Sequence, residues 1–185
     1  MTPRSIPNAI TIARMVMALP LLWLLVTDQP RAALWLAVLA GLSDALDGFI
    51  AKRFGWTSVL GGVLDPLADK LLLSVCFFGL WWSKHLPTWL VSVVLVRDLV
   101  ILAGAFAWWK LSGSLKPEPS GISKATTLTQ LVLITLMLGY LAGFAVPYDW
   151  FPPLVLATAG VTLISGTDYV VRYGRRAWKL RGSGR

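Results

Sequence analysis

Long apolar stretches recur along this chain, and they constrain its fold more than any other feature of the sequence. An α-helix needs about 20 mostly apolar residues to cross the hydrocarbon core of a bilayer. Six stretches approach this length, at residues 10–27, 32–51, 63–82, 87–109, 125–146 and 152–171. Mean hydropathy is +0.69 and only 14% of the residues are charged. The sequence therefore predicts an all-α integral membrane protein with six transmembrane helices, a short N-terminal juxtamembrane segment and a single domain over residues 1–185.

The cations are distributed unevenly between the two ends of these stretches. If both termini face the cytoplasm, twelve Lys and Arg residues lie on the cytoplasmic side, and only Arg31 and Lys84 lie on the far side. Cytoplasmic loops carry such an excess, so we expect this orientation, in a bacterial inner membrane. The basic C-terminal tail is interpreted as a topology anchor, with an anionic-lipid site as the alternative. Asp168 is interpreted as a structural partner of Arg172 or Arg175. Because the distribution of Lys and Arg is explained by membrane topology, the net charge of +8 is not attributed to nucleic-acid binding.

Four of the nine acidic residues lie close together within this apolar sequence. Asp44 and Asp47 are three residues apart near the end of the second stretch, and Asp65 and Asp69 are four apart near the start of the third. Each spacing places a pair on one face of a helix. A glycine-containing turn between the pairs folds the helices antiparallel, which sets Asp44 opposite Asp69. Because Asp65 precedes Pro66, it is predicted to be the N-cap of the third helix.

These carboxylates predict a metal site rather than a structural cluster. A carboxylate inside a membrane helix costs on the order of 3 kcal/mol, and four on facing surfaces also repel one another. A divalent cation removes the repulsion, and all-oxygen ligands suit Mg²⁺, Mn²⁺ or Ca²⁺. Two ions are consistent with four carboxylates and with phosphoryl-transfer chemistry. The single His85 and the single Cys76 argue against a zinc cluster.

The segment "DALDGFIAKRFGWTSVLGGVLDPLAD" resembles the signature of the CDP-alcohol phosphotransferase family, D-x2-D-G-x2-A-R-x8-G-x3-D-x3-D. At one position Lys52 replaces the arginine of the family, which keeps the cation but loses the bidentate fork. The segments "IPNAITIARM", "RDLVILAGAF" and "GISKATTLTQ" are also similar to the family, so the resemblance covers most of the chain. The remaining signature positions all match: Asp44, Asp47, Gly48, Ala51, Gly61, Asp65 and Asp69.

Members of this family have six transmembrane helices, commonly dimerise, and transfer a phosphatidyl or similar group from a CDP-linked donor to an alcohol, releasing CMP. The resemblance implies that the four aspartates hold two Mg²⁺ or Mn²⁺ ions. It also implies that Asp69 is the general base on the acceptor hydroxyl, and that the protein forms a homodimer. The implied CDP-binding set consists of Asp44, Gly48, Ala51, Lys52, Gly61 and Asp65.

Other polar residues within or at the ends of the spans are candidates for binding the acceptor or a phosphate. They are Asn8, Thr11 and Arg14, which share one face of the first helix, together with Arg97 and Lys124. For Arg97 the alternative is an intramembrane ion pair with an aspartate. For Lys124 the alternative is a role in topology alone.

The flanking sequences are most similar to the branch that makes phosphatidylglycerophosphate and cardiolipin. Phosphatidylglycerophosphate synthases usually have a G-K-x-K-T run at the fifth helix, whereas this chain has "SKATT" at 123–127 and lacks the second lysine. Arg97-Asp98 also replaces their usual Arg-Glu. A dianionic phosphate monoester benefits from two cations, and a singly charged diester does not need them. These features favour CDP-diacylglycerol as donor and phosphatidylglycerol as acceptor, with glycerol 3-phosphate as the alternative acceptor. A non-enzymatic divalent-cation transporter is the remote alternative.

Overall fold

The computed structural model of this chain describes residues 6–54, 61–112 and 121–182. The described residues form six α-helices and no strand, as the sequence predicts. A short 3-10 turn, Tyr148–Trp150, leads into the last helix. The helices are α1 (Ile6–Val26), α2 (Pro30–Phe54), α3 (Gly61–Trp82), α4 (Thr88–Ser112), α5 (Gly121–Leu141) and α6 (Phe151–Gly182).

Each predicted apolar stretch overlaps one of these helices. Within the described ranges, four segments are long and apolar enough to cross a membrane: Ala9–Val26, Thr88–Phe106, Gly121–Leu141 and Tyr148–Arg172. Helices α2 and α3 are not among them.

Several helix boundaries differ from those predicted, and the start of α3 and the end of α5 are two of them. Helix α3 begins at Gly61, so the prediction that Asp65 is its N-cap is wrong. Proline lacks a backbone N–H, and so near the N-terminus of α3 Pro66 removes at most one helical hydrogen bond. Helix α5 ends at Leu141 instead of continuing to 146, because Gly143 adopts a left-handed conformation with φ of 92°. Its amide donates to the Tyr140 carbonyl at 3.0 Å, an arrangement typical of a glycine-terminated helix.

The described residues form two compact units. The first contains α1, α2, α3 and the part of α5 that begins at Ile134. The second contains α4, the part of α5 that ends at Leu133, and α6. In the first unit α1 packs against both α2 and α3, and in the second unit α4 packs against α6.

A glycine permits close helix packing within each unit. In the first unit, a Cβ atom on Gly79 would lie 2.6 Å from the Cβ atom of Leu25, so α1 and α3 approach closely only because Gly79 has no side chain. In the second unit, a Cβ atom on Gly104 would lie 2.7 Å from the Tyr169 ring. The Tyr169 hydroxyl donates to the Ile101 carbonyl at 3.1 Å, which ties α6 to α4. Small residues at helix interfaces are a common basis of packing in membranes.

Candidate active site

Helix α1 directs two polar side chains into the interior of the first unit. Thr11 and Arg14 are both buried, and the Arg14 side chain is only 1% exposed. They lie on the same face as Ala18, Leu21 and Leu25, which are also buried, because these positions recur at intervals of three and four residues. The face of α1 that packs against its neighbours is therefore apolar towards Leu25 and polar towards Thr11.

Both polar side chains contact the clustered aspartates. Thr11 Oγ1 donates to Asp65 Oδ1 at 2.6 Å. Arg14 Nη1 donates to Asp69 Oδ1 at 2.9 Å, and the same nitrogen also donates to Asp44 Oδ1. Because one nitrogen contacts both carboxylates, Asp44 and Asp69 face each other, as the antiparallel arrangement predicts.

The cluster places a buried cation beneath partly exposed anions. The Asp44 and Asp69 side chains are 43% and 47% exposed, whereas Arg14 is almost completely enclosed. In their ionised forms, the three described carboxylates and the one guanidinium carry an excess of negative charge. This arrangement remains attractive to a cation that approaches from the exposed side of Asp44 and Asp69.

The donor atoms of this cluster suit a hard divalent cation, since carboxylate oxygens are preferred ligands of Mg²⁺ and Mn²⁺. Among the side chains that the structure describes, no three acidic, histidine or cysteine groups are already arranged as a metal centre. Instead, Arg14 bridges Asp44 and Asp69. The two-ion site stays a prediction, and the excess negative charge of the cluster fits it.

Several predicted site residues lie on these helices, but their side chains are outside the part of the chain that the structure describes. The predicted metal- and CDP-binding roles of these residues stay predictions, as does the acceptor role of the residue on α1. The residues are Asn8 on α1, then Asp47, Gly48, Ala51 and Lys52 on α2, and Gly61 at the start of α3.

Arg97 organises a second polar cluster, within the second unit. Its side chain is 6% exposed. Nη1 donates to Asp98 Oδ1 at 2.7 Å, and Nη2 donates to the hydroxyl oxygens of Ser123 at 3.0 Å and Ser165 at 2.6 Å. The ion pair that the sequence left open for Arg97 is therefore present, and the same guanidinium also connects α4 to α5 and α6.

The "SKATT" run at the start of α5 adjoins this cluster. Ser123 contacts Arg97, and the next residue, Lys124, has an exposed side chain. Thr126 is fully buried, and its hydroxyl donates to the Val161 carbonyl of α6 at 3.3 Å. Thr126 lies three residues after Ser123 and so shares its helix face. A neutral hydroxyl thus occupies the position of the second lysine, on the face that contacts Arg97.

Sequence reasoning missed Ser165, which accepts a hydrogen bond from Arg97. A signal was available, because Thr158, Thr162 and Ser165 recur at intervals of four and three, and all three are buried. This periodicity predicts a polar stripe on one face of α6. The predicted partnership of Asp168 is confirmed, since its Oδ1 accepts a hydrogen bond from Arg172 Nε at 2.6 Å.

Comparison with known proteins assigns the chain to a family. Residues 4–164 match the CDP-alcohol phosphatidyltransferase family. The chain belongs to this family. A cardiolipin synthase (CMP-forming) from Streptomyces coelicolor is 33% identical over 186 residues, which cover 92% of this chain and 83% of the relative. The human cardiolipin synthase (CMP-forming) is 31% identical over 196 residues, which cover 94% of this chain and 63% of the relative. A CDP-diacylglycerol–glycerol-3-phosphate 3-phosphatidyltransferase from Aquifex aeolicus is 29% identical over 175 residues, which cover 91% of this chain and 95% of the relative.

The resemblance seen in the sequence is thus confirmed at the level of the family. The family consists of enzymes that use CDP-diacylglycerol and an alcohol such as glycerol 3-phosphate or phosphatidylglycerol. This membership argues against the transporter alternative. The apolar helices and the enzymes related to the chain identify it as a membrane protein. The relatives include both cardiolipin synthases and glycerol-3-phosphate phosphatidyltransferases, so family membership alone does not select between the two acceptor alcohols.

Proposed function

We propose that this protein is a divalent-metal-dependent phosphatidyltransferase that converts CDP-diacylglycerol and phosphatidylglycerol into cardiolipin and CMP. The acceptor hydroxyl oxygen attacks the phosphatidyl phosphorus, and the bond between that phosphorus and the CMP oxygen breaks. Asp69 takes the proton from the acceptor hydroxyl. The Asp69 side chain is about half exposed, with Oδ1 held by Arg14, so an approaching hydroxyl can reach this carboxylate.

The four aspartates Asp44, Asp47, Asp65 and Asp69 are proposed to hold two Mg²⁺ or Mn²⁺ ions. When bound, the ions would neutralise negative charge on the pyrophosphate and on the departing CMP. The negative excess around Arg14 supports this role, since the guanidinium balances only part of the carboxylate charge. The other signature residues are proposed to bind CDP, and their match to the family signature supports this role.

The observation that carries the choice of acceptor is the charge balance around Arg97. Asp98 compensates part of the Arg97 charge, and the neighbouring position Thr126 provides a neutral hydroxyl instead of a second cation. One partly compensated guanidinium suits a singly charged phosphodiester better than a dianionic monoester. Phosphatidylglycerol is a diester and glycerol 3-phosphate is a monoester. The Aquifex relative favours glycerol 3-phosphate as the second candidate.

We further propose six transmembrane helices, both termini in the cytoplasm, a homodimer, and a bacterial inner membrane with the aspartates near its cytoplasmic side. The uneven distribution of Lys and Arg supports this orientation. His85→Cys in a Cys76→Ser background tests it with a membrane-impermeant thiol reagent on intact cells. Labelling from outside is expected. Labelling only after the cytoplasmic side is opened would contradict the topology.

The proposed reaction is tested with purified protein, CDP-diacylglycerol and either phosphatidylglycerol or glycerol 3-phosphate, with products identified by mass spectrometry. Cardiolipin and CMP are expected, EDTA should abolish their formation, and Mg²⁺ or Mn²⁺ should restore it. Phosphatidylglycerophosphate as the sole product would transfer the assignment to the second candidate. Full CMP release in EDTA would contradict metal dependence and leave the acceptor assignment intact.

A further inference from the structure

A groove of about 500 Å³ runs between α4 and α6 in the second unit. We name it the α4–α6 groove. Its α4 wall includes Val96, Arg97 and Val100, and its α6 wall includes Leu163, Gly166 and Val170. Apart from Arg97 and a few hydroxyl groups, the lining is aliphatic. The groove therefore suits a hydrocarbon chain far better than a small polar metabolite.

Gly166 of α6 lies beside the Arg97 side chain of α4, and both line this groove. A Cβ atom at Gly166 would lie 3.4 Å from Arg97 Cγ, so Gly166 lies against the aliphatic part of the arginine side chain. Among the described residues, the buried Nε of Arg97 has no hydrogen-bond acceptor, although both terminal nitrogens of the guanidinium have one. A buried donor without an acceptor is unfavourable, because it has lost its hydrogen bonds to water without replacement. The Arg97 side chain thus lines the groove while one of its donors has no partner among the described residues.

The surroundings of the groove select a lipid as the ligand. Both walls belong to segments that are apolar enough to cross a membrane, and Val96 is 58% exposed. Inside a bilayer, such exposed aliphatic walls face acyl chains. A phospholipid joins an acyl chain to a phosphodiester, which matches the aliphatic walls and the single arginine together. Glycerol 3-phosphate would leave the aliphatic walls without a partner.

We propose that the α4–α6 groove binds the acceptor phospholipid, with an acyl chain along its aliphatic walls and the singly charged phosphodiester near Arg97. This inference rests on the proposed function and deepens it, because it places a diacyl acceptor at a defined surface. The donor is a poorer match, since its pyrophosphate carries more charge than one arginine partly compensated by Asp98 can balance. The groove is thus a specificity site for the acceptor.

The experiment fills the groove and measures each substrate separately. Val96→Trp places a large side chain within the groove, and Leu99→Trp places the same side chain on α4 outside its lining, at a residue that is 65% exposed. Purified variants are assayed in mixed micelles in which the mole fractions of donor and acceptor vary independently. Moving an acyl chain from the bulk lipid into an equally apolar groove changes its free energy little. The main loss expected in Val96→Trp is therefore the contact between the phosphodiester and Arg97. Val96→Trp should raise KM for phosphatidylglycerol roughly tenfold or more.

The expected pattern is an increase that is confined to the acceptor. KM for CDP-diacylglycerol should change less than twofold in Val96→Trp, and Leu99→Trp should match the wild type for both lipids. Val170→Trp, which fills the groove from α6, should reproduce the acceptor effect and guards against a folding defect of one variant. Equal KM values in Val96→Trp and Leu99→Trp would refute the proposal that the groove binds the acceptor. That result would leave the assignment of cardiolipin synthesis intact. An equal rise in both KM values would also refute the proposal for the groove.

A direct binding measurement separates failure of the groove from failure of the proposed function. Phosphatidylglycerol with a photoreactive group in one acyl chain should label peptides from 88–106 or 151–172 of the intact protein. Val96→Trp should reduce this labelling and Leu99→Trp should not. If the wild type makes no cardiolipin yet shows this labelling pattern, the proposed function fails and the lipid site is supported. If it makes cardiolipin without the pattern, only the groove is refuted.

Discussion

Replacing Arg14 with methionine tests whether this arginine is the internal counter-ion of the aspartate cluster. A hydrogen bond to a charged group contributes about 1.5–3 kcal/mol, and Arg14 makes such contacts with both Asp44 and Asp69. The two carboxylates are 43% and 47% exposed, so solvent screening reduces the combined effect to roughly 2–3 kcal/mol. For a chain of this size, that loss corresponds to a decrease in Tm of roughly 4–12 °C.

The assay is thermal unfolding in detergent, followed by intrinsic fluorescence, in EDTA and in Mg²⁺. Arg14→Met should lose more stability than Arg31→Met, a control in which the arginine donates to the neutral Ala142 carbonyl at 2.9 Å. Mg²⁺ should stabilise Arg14→Met more than the control, because the ion replaces the missing positive charge between Asp44 and Asp69. Equal losses in both variants, or equal stabilisation by Mg²⁺, would refute the counter-ion interpretation.

Three further predictions concern activity and packing. Asp65→Asn should retain insertion and folding but lose most CMP release, and normal turnover by a folded variant would contradict the proposed metal site. Thr126→Lys adds a cation on the helix face that contacts Arg97, so use of glycerol 3-phosphate relative to phosphatidylglycerol should rise roughly tenfold. Thr127→Lys, at an exposed position, should leave this ratio unchanged, and an equal shift in both variants would exclude a local effect. Gly79→Ala should lower Tm because its Cβ atom meets Leu25, whereas Gly160→Ala has open space and should not.

The sequence determined the parts of this protein that depend on local pattern. Apolar length fixed the six helices, since a stretch of this length and composition is most stable with its backbone hydrogen bonds satisfied within a helix. The spacing of the aspartates placed Asp44 and Asp69 on facing helix surfaces, and one Arg14 nitrogen contacts both. The signature from Asp44 to Asp69 identified the family, because each of its fixed positions requires a particular residue type. The prediction failed for the start of α3, which begins at Gly61, because the Asp-Pro signal is a statistical preference and not a requirement.

Only the tertiary structure decided which partner each buried polar group takes. Spacing showed that Thr11 and Arg14 share a face, but it could not show that this face meets Asp65, Asp44 and Asp69. Arg97 remained open between an ion pair and an anion clamp until packing placed Asp98 and two serine hydroxyls around it. The physical reason is that a buried charge is stabilised by whatever non-local groups the packing of helices brings within hydrogen-bond distance. Helical periodicity sets the face of a residue, whereas the packing of neighbouring helices sets what that face contacts.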